Sequence, residues 1–399
     1  MKLLFSILLL FAICFQVTFA ANKVWTCITP QGAPVFTFEA LNVFEFKNGR
    51  AKVYKNYYVN NNWIRGYGFV DATGKTIIEC TLEKAKDFDA TVTWVKYKDD
   101  DFYKLIDLNG NPVVTKQYKK VGQFYNLQKD ICPVFDGHAM GFINTKGQEI
   151  IPCKFIGGAI FQYNLLSVAL ANESSSLYGF INKKGEKMIP LQYKQAGSSS
   201  FEDGLARVQL NGSTVLIDTL GNVIFKTKKG TIQGYNDGLV LVFINKTERT
   251  GYGWLNLKNE FVIEPIYDHA ENFNSDGFAV VTLNKKKGLI SKTGQILLDL
   301  KYQDIYANYS RDGYIMGTYP SAEPAPLSKI RKNYFNKKLE PISLPNIIYL
   351  SSKKSGKLIP FKDKNQLYGY LRQDYNVVIA PVYKKVKSFS ENLAWVIAN

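Results

Sequence analysis

Histidine is nearly absent from this chain. Only His138 and His269 occur among 399 residues, and neither belongs to an HExxH pattern or a His/Cys pair. The common histidine-based signatures of zinc sites and metal-dependent hydrolases are therefore missing. We predict no metal site, no cofactor and no catalytic residue.

Cysteine is also scarce. Four of the five cysteines, Cys27, Cys80, Cys132 and Cys153, lie outside the N-terminal segment, and no two are spaced as CxxC. An exported chain can form disulfides, and four cysteines allow three pairings. The sequence leaves open whether these residues form one or two bridges, with unknown pairing, or stay buried thiols.

Long hydrophobic runs are missing after the N-terminus. The run Leu3–Phe15 spans 13 residues, whereas a membrane-spanning helix needs roughly 17–25. Lys2 precedes the run, and Thr18-Phe19-Ala20 resembles a cleavage site. This pattern predicts a secretory signal peptide over residues 1–20, removed between Ala20 and Ala21. We expect a mature chain without a transmembrane segment that is secreted, periplasmic or at the cell surface.

Acidic residues are outnumbered by basic ones. The chain has 34 Asp and Glu against 50 Lys and Arg, a formal net charge of +16. A basic surface attracts anionic partners. The lysines are scattered over turns, however, and form none of the basic or aromatic motifs of a nucleic-acid module. We therefore expect an unknown protein or an anionic glycan as partner, and no nucleic acid.

A short β-motif is repeated ten times along the chain, most clearly from Tyr178 to Pro190. Its turn position recurs every 35 to 45 residues, which is typical of solenoids, propellers and similar arrays. The turn positions are Gly32, Gly74, Gly110, Gly147, Gly185, Gly221, Asn259, Gly294, Leu339 and Tyr375.

Each copy begins with a short strand followed by an Asx-x-x-Gly turn. An Asp or Asn side chain can accept hydrogen bonds from the backbone that follows it, and Gly adopts positive φ without steric cost. Because Asp and Asn exchange freely, we interpret the pairs as structural turns without catalytic function. They are Asp71 and Gly74, Asp107 and Gly110, Asn144 and Gly147, Asn182 and Gly185, and Asp218 and Gly221.

The rest of the copy contains a β-branched strand that often ends in Pro, then aromatic residues at fixed positions, then a Gly-Leu-Ala-x-Val strand. Aromatic residues recur eight and fourteen positions after the turn, as at Tyr118 and Phe124. Their recurrence favours core ladders between adjacent repeats over sugar-stacking sites. The intervening segment is expected to be a short strand with a bulge, or a single turn.

This pattern resembles the WG-repeat family, also called KWG repeats, over nearly the whole mature chain. The matching features are an aromatic-Gly-aromatic-aliphatic strand, the Asx turn, the Ile-Ile-Pro strand and the Gly-Leu-Ala-x-Val strand. The Trp that gives the family its name is mostly Tyr here, as at Tyr67 and Tyr178. The resemblance implies β-rich repeats in exported or surface bacterial proteins, with binding functions.

We predict an all-β fold with about ten tandem repeats of four short strands, arranged as a closed or nearly closed propeller-like array over residues 21–399. The alternatives are an open β-superhelix (a solenoid) or two smaller rings, with a break near residues 319–332. In a closed array the C-terminal strand would complete the N-terminal blade and remove two sheet edges. No other domain is expected, and the protein should be a monomer.

The predicted function is that of an exported, non-enzymatic scaffold that binds a protein or a glycan. Loops that depart from the repeat are the candidate contacts, namely residues 56–65, 125–130 and 319–332. The alternative is a propeller-type glycoside hydrolase or lyase, which needs two carboxylates in one cleft. Its candidate acids are Asp87, Asp89, Glu202 and Glu271.

Overall fold

The described part of the protein is entirely β-structure. This computed structural model describes residues 21–59, 61–113, 116–124, 130–158, 160–171, 177–194, 201–246, 249–307, 315–319, 332–342, 347–351 and 358–399. Over those residues it contains no helix that could span a membrane. Residues 1–20 with their predicted cleavage site, residues 125–129 and residues 320–331 lie outside the described ranges.

The described residues form thirty-four strands. The first twelve are β1 Lys23–Ile28, β2 Pro34–Ala40, β3 Asn42–Lys47, β4 Arg50–Val59, β5 Asn62–Asp71, β6 Thr76–Ala85, β7 Val92–Tyr97, β8 Lys104–Asp107, β9 Lys120–Val121, β10 Ile131–Phe135, β11 Met140–Asn144 and β12 Glu149–Gly157. The next twelve are β13 Leu166–Leu170, β14 Tyr178–Ile181, β15 Lys187–Tyr193, β16 Ala206–Leu210, β17 Ser213–Ile217, β18 Val223–Lys226, β19 Thr231–Asn236, β20 Leu239–Lys246, β21 Arg249–Asn256, β22 Phe261–Tyr267, β23 His269–Ala270 and β24 Ala279–Leu283. The last ten are β25 Lys286–Ile290, β26 Ile296–Tyr302, β27 Asp304–Tyr306, β28 Ile315–Thr318, β29 Lys332–Phe335, β30 Ile347–Leu350, β31 Leu358–Asp363, β32 Tyr368–Arg372, β33 Val377–Val386 and β34 Ala394–Ala398.

These strands form antiparallel sheets that correspond to ten propeller-like blades. Three of the seven sheets contain two blades each, joined by the long strands β6, β12 and β33. A blade such as β19-β20-β21-β22 takes two strands from the end of one sequence repeat and two from the start of the next. The tandem all-β array predicted from the sequence is confirmed.

In the copies that contain β6 and β33, the segment after the second strand is a short strand with a bulge. In β6 the register shifts between Leu82 and Lys84, and in β33 it shifts between Tyr383 and Lys385. Each bulge bends the strand, so that it ends one blade and begins the next. Of the two alternatives that the spacing allowed, the strand with a bulge is found here.

The first and last described strands lie in one blade. Strand β34 pairs with β1, with Thr26 opposite Val396 and Ile28 opposite Ala394. On its other edge β34 pairs with the second half of β33. The blade that we call blade 1 is therefore β33-β34-β1-β2, followed by blade 2 (β3-β4-β5-β6), and blade 10 is β30-β31-β32-β33. The predicted completion of the N-terminal blade by the C-terminal strand is confirmed.

A glycine–isoleucine contact that joins neighbouring repeats also joins the first repeat to the last. The turn glycine of a repeat packs against the second-strand isoleucine of the repeat before it. Such pairs are Gly110 with Ile78, Gly185 with Ile151, Gly221 with Ile189, and Gly294 with Ile263. Gly32 of the first repeat packs in the same way against Ile379 of the tenth, with 3.7 Å between an ideal Cβ and the isoleucine. The contact across the chain ends therefore follows the pattern of the array.

The Asx residues act as turn acceptors in the structure. Asp71 Oδ1 accepts hydrogen bonds from the backbone N–H of Thr73 and Lys75 at 2.9 and 3.0 Å. Burial acts to raise the pKa of Asp71, but these hydrogen bonds outweigh it and lower the pKa below its ordinary value. The same pair of bonds is made by Asp107, Asn144, Asn182 and Asp218.

The recurring aromatic residues form the core between blades. Tyr118, Tyr193 and Tyr302 are buried, as are Phe88 and Phe124. Trp94 contacts Tyr118 edge-on, and Phe69 contacts Phe88 in the same way. The prediction that these rings belong to the framework is confirmed, because they are buried in core clusters that also join neighbouring blades.

Candidate functional site

Trp395 joins blade 1 to blade 2, and we call the junction of blades 10, 1 and 2 the seam. The Trp395 ring stacks on Phe46 with 5.6 Å between centroids and meets Phe36 edge-on at 5.2 Å. Its indole N–H donates a hydrogen bond to the Phe44 carbonyl oxygen at 3.1 Å. The C-terminal strand is thus fixed to blade 2 by both apolar and polar contacts.

A cleft of about 360 Å³ lies at the seam, which we call the seam cleft. This volume falls within the roughly 300–1,000 Å³ typical of small-molecule sites. The walls combine aromatic, hydroxyl, amide and charged groups from three blades. The lining residues are Trp25, Leu41, Asn42, Glu45, Tyr349, Ser351, Pro360, Tyr368, Lys385, Val386, Lys387 and Ser388.

Two lysines of strand β33 and its continuation give the seam cleft a cationic wall. The Lys387 ammonium lies 3.1 Å from Asn42 Oδ1 and 5.6 Å from the centre of the Trp25 ring. Lys385 lies beside Lys23 of strand β1. The pKa of Lys385 lies below its ordinary value of 10.5, mainly because of the nearby Lys23 ammonium and secondly because of partial burial.

Removing this repulsion should be visible by titration. We expect Lys23→Gln to raise the pKa of Lys385, because a nearby like charge disfavours the protonated form. Carbon NMR of the lysine side chains between pH 8 and 12 would measure it. Added salt should shrink the difference between wild type and variant, because both ammonium groups are exposed. Lys84→Gln on strand β6 is the control, and a Lys385 pKa that ignores Lys23→Gln would contradict the arrangement.

An extended hairpin of strands β4 and β5 belongs to blade 2, beside the seam. Each strand has ten residues, and they pair without interruption from Arg50–Asp71 to Val59–Asn62. Near the tip, Tyr58 and Trp63 are 57% and 52% exposed, with ring centroids 5.3 Å apart. We call Tyr58 and Trp63 the aromatic pair.

The hairpin is anchored to the N-terminal segment. Asn22 Nδ2 donates to the Asn56 carbonyl oxygen and the Asn56 N–H donates to Asn22 Oδ1, both at 3.0 Å. Arg65 Nε donates to Asn56 Oδ1 at 3.1 Å. Residues 56–65, predicted as an irregular loop, are thus mostly paired strand, because β-formers such as Tyr57 and Ile64 face each other across the hairpin.

Asp87 and Asp89 share Lys47 as an ion-pair partner, and Asn272, which follows Glu271, donates a hydrogen bond to the Glu202 carboxylate at 3.5 Å. Asp89 lies 2.6 Å from Lys47, and Asp87 lies 2.7 Å from Lys52, so both carboxylates are ion-paired. Burial first, and then the adjacent Asp203, raise the pKa of Glu202. Glu271 donates its backbone N–H to the Val280 carbonyl oxygen. The carboxylate that lines the described walls of the seam cleft is that of Glu45.

The cysteines are thiols in the structure. Cys27, Cys80 and Cys132 are buried and Cys153 is half-buried, and none of these four forms a disulfide. Burial raises the pKa of Cys80 to about 11, and raises that of Cys132 to about 12 despite a hydrogen bond from the Trp94 indole. Thiols with such pKa values hold little thiolate at neutral pH and behave as core residues.

Comparison with known proteins identifies the repeat. A family model described as "WG containing repeat" matches six segments of the chain, residues 67–99, 140–156, 178–213, 252–286, 288–316 and 368–399. No curated protein matches the chain in sequence.

Several solved structures resemble parts of the fold. A eukaryotic initiation factor is 10% identical, with 88% of this chain and 100% of that one covered, at a TM-score of 0.45. Apo AztD from Citrobacter koseri is 12% identical, with 81% of this chain and 94% of that one covered, at a TM-score of 0.31. Kluyveromyces lactis Hsv2p is 8% identical, with 72% of this chain and 92% of that one covered, at a TM-score of 0.28.

Proposed function

Because the chain is a WG-repeat protein, we propose that it is an exported, non-enzymatic scaffold that binds a protein or a glycan at the cell surface, in the periplasm or in the medium. The observation that carries this proposal is the extended hairpin with its exposed aromatic pair. The pair departs from the repeat template and lies on a hydrogen-bonded ribbon. Binding determinants that escape a repeat template are expected at such insertions.

The chemistry of the hairpin suits recognition. Tyr and Trp supply large contact areas at low entropic cost and dominate binding energy at interfaces. The Lys98 ammonium lies 5.8 Å from the centre of the Tyr57 ring, and Lys55 lies 5.4 Å from that of Phe38. Both rings are half-buried, and the two ammonium groups beside them give the hairpin region positive charge, which favours an anionic partner.

A binding screen with a matched pair of variants would test the proposal. The mature chain would be applied to a glycan array and used to capture proteins from the native cell surface, at low and at high salt. We expect Tyr58→Ser with Trp63→Ser to weaken binding by at least about tenfold, since loss of two aromatic contacts removes 1.4 kcal/mol or more.

The control is Ile266→Ser, which removes another exposed apolar side chain from strand β22. Binding that survives loss of the aromatic pair, or that is lost equally in the control, would overturn the role of the hairpin. Binding that disappears only at high salt would assign the affinity to charge, whereas salt-insensitive binding would assign it to shape.

The non-enzymatic part of the proposal has its own test. A hydrolase or lyase would need a general acid beside a second carboxylate, and Glu202 is the candidate with a raised pKa. If the chain cleaves a glycan that it binds and Glu202→Gln abolishes the cleavage, the scaffold proposal fails in favour of the enzyme.

A further inference from the structure

We propose that the seam cleft binds a singly charged acidic sugar, such as a uronic acid residue of a glycan. This inference rests on the proposed binding function and names a ligand class for it. It uses residues other than the aromatic pair, so the two can fail separately.

Lys385 of the cationic wall and its neighbour Lys23 lack a carboxylate partner in the described part of the chain. Among the described residues, no carboxylate lies within salt-bridge distance of Lys23 or Lys385. Lys385 lines the seam cleft, and Lys23 lies beside it on strand β1, at the opposite edge of β34. A carboxylate bound in the cleft at Lys385 would accept a charge-assisted hydrogen bond and relieve the repulsion between the two ammonium groups.

Lys387 provides a fixed neighbour for that anion. Its ammonium is held by Asn42 Oδ1 and lies over the Trp25 ring, so its position changes little when a ligand enters. A cation fixed in this way adds attraction without the entropic cost of ordering a long side chain. The wall therefore recognises negative charge at one end of the cleft.

The remaining walls suit the neutral part of a sugar. Tyr349 is 45% exposed, and Tyr368 of strand β32 lines the same cleft. Aromatic faces of this kind pack against the apolar face of a pyranose ring, while Ser351 and Asn42 offer hydrogen-bonding groups for its hydroxyls. Small-molecule sites commonly combine aromatic walls with a few polar groups in this way.

Glu45 discriminates between classes of anion. Its carboxylate lines the same cleft, where it can accept hydrogen bonds from sugar hydroxyls. The same carboxylate would repel a ligand that carries several negative charges, such as a nucleoside diphosphate. One anionic group with several hydroxyls is the combination that satisfies both the lysines and Glu45.

Calorimetric titration of the mature chain with four probes tests the inference. The probes are sodium D-glucuronate, D-glucose, inorganic sulfate and adenosine diphosphate. We expect glucuronate to bind more tightly than the other three, and Lys385→Gln to weaken glucuronate binding by about tenfold, as loss of one charge-assisted contact implies. Lys384→Gln is the matched control, because Lys384 is the exposed neighbour outside the cleft lining.

Each outcome decides something. Tighter binding of glucose would show that the lysines are not used, equal binding of sulfate would show a general anion site, and tighter binding of adenosine diphosphate would assign the cleft to nucleotides. Any of these, or equal effects of Lys384→Gln and Lys385→Gln, overturns the inference. Partner binding that depends on the aromatic pair but ignores Lys385→Gln would leave the proposed function intact.

Discussion

Replacing Trp395 with alanine is expected to lower the free energy of unfolding by about 4 kcal/mol, in the middle of the range of roughly 3–5 kcal/mol for a buried aromatic residue. The ring is 1% exposed and contacts Phe36 and Phe46. Its loss would leave a cavity at the seam and an unpaired carbonyl oxygen at Phe44. Both costs fall on the junction of strand β34 with strands β2 and β3.

The position of Trp395 predicts where the damage should appear. In a repeat array, stability is a sum of local and nearest-neighbour contributions. Amide hydrogen exchange should therefore accelerate most in strands β1, β3 and β34, and least in distant blades such as β19-β20-β21-β22. Chemical denaturation with exchange mass spectrometry would measure both effects.

Trp63→Ala is the matched control, because it removes the same side chain from an exposed position. We expect it to change the free energy of unfolding by no more than about 0.5 kcal/mol. The prediction would be contradicted if Trp395→Ala changed the free energy of unfolding as little as Trp63→Ala, or if amide exchange rose uniformly around the array. Strand β34 would then not be joined to its neighbours through the Trp395 side chain in solution.

The sequence was sufficient to predict the repeat because the turn chemistry is periodic. The period alone placed turn positions at Leu339 and Tyr375, where the residues give no local sign of a turn. In the structure their φ angles are 64° and 66°, the left-handed region that Gly occupies in other copies. Spacing thus carries information that survives when the turn residue itself has changed.

The seam cleft could not be predicted in the same way. Tyr349, Tyr368 and Lys385 come from three strands, and single-sequence reasoning assigns each to an ordinary framework position. Their proximity depends on how blade 10 meets blade 1, which is a property of the packed array. Lys23 shows this most clearly, because it precedes Lys385 by 362 residues and approaches it only through the pairing of β34 with β1.

The hairpin of strands β4 and β5 could be predicted from the sequence only in part. Trp63 was identified as part of a segment that departs from the template, and its exposure agrees with that reading. The alternating strand pattern of residues 50–71 was hidden by the expectation that variable segments are loops. Insertions in β-arrays can extend an existing pair of strands, which costs no unsatisfied backbone groups.

Gly179→Ala is expected to destabilise blade 5, made of the second half of β12 with β13, β14 and β15, by about 3 kcal/mol or more, at or beyond the usual range for overpacking. An ideal Cβ on Gly179 would lie 2.5 Å from the Ile189 carbonyl oxygen and 2.7 Å from that of Pro190. Both obstacles are backbone atoms of the paired strand β15, where the register shifts between Tyr178 and Phe180. They can give way only if the strands separate.

Gly277→Ala separates this clash from the general cost of losing glycine. Gly277 has a φ of +85°, and an ideal Cβ there meets nothing within 4 Å, so its replacement should cost only the strain of a left-handed alanine, about 1 kcal/mol. Denaturant titration of both variants measures the difference. Five other copies hold glycine at the matching position against the same backbone, namely Gly68, Gly141, Gly253, Gly288 and Gly369. A Gly179→Ala variant as stable as Gly277→Ala would therefore show that close strand contact is not what keeps glycine in this motif.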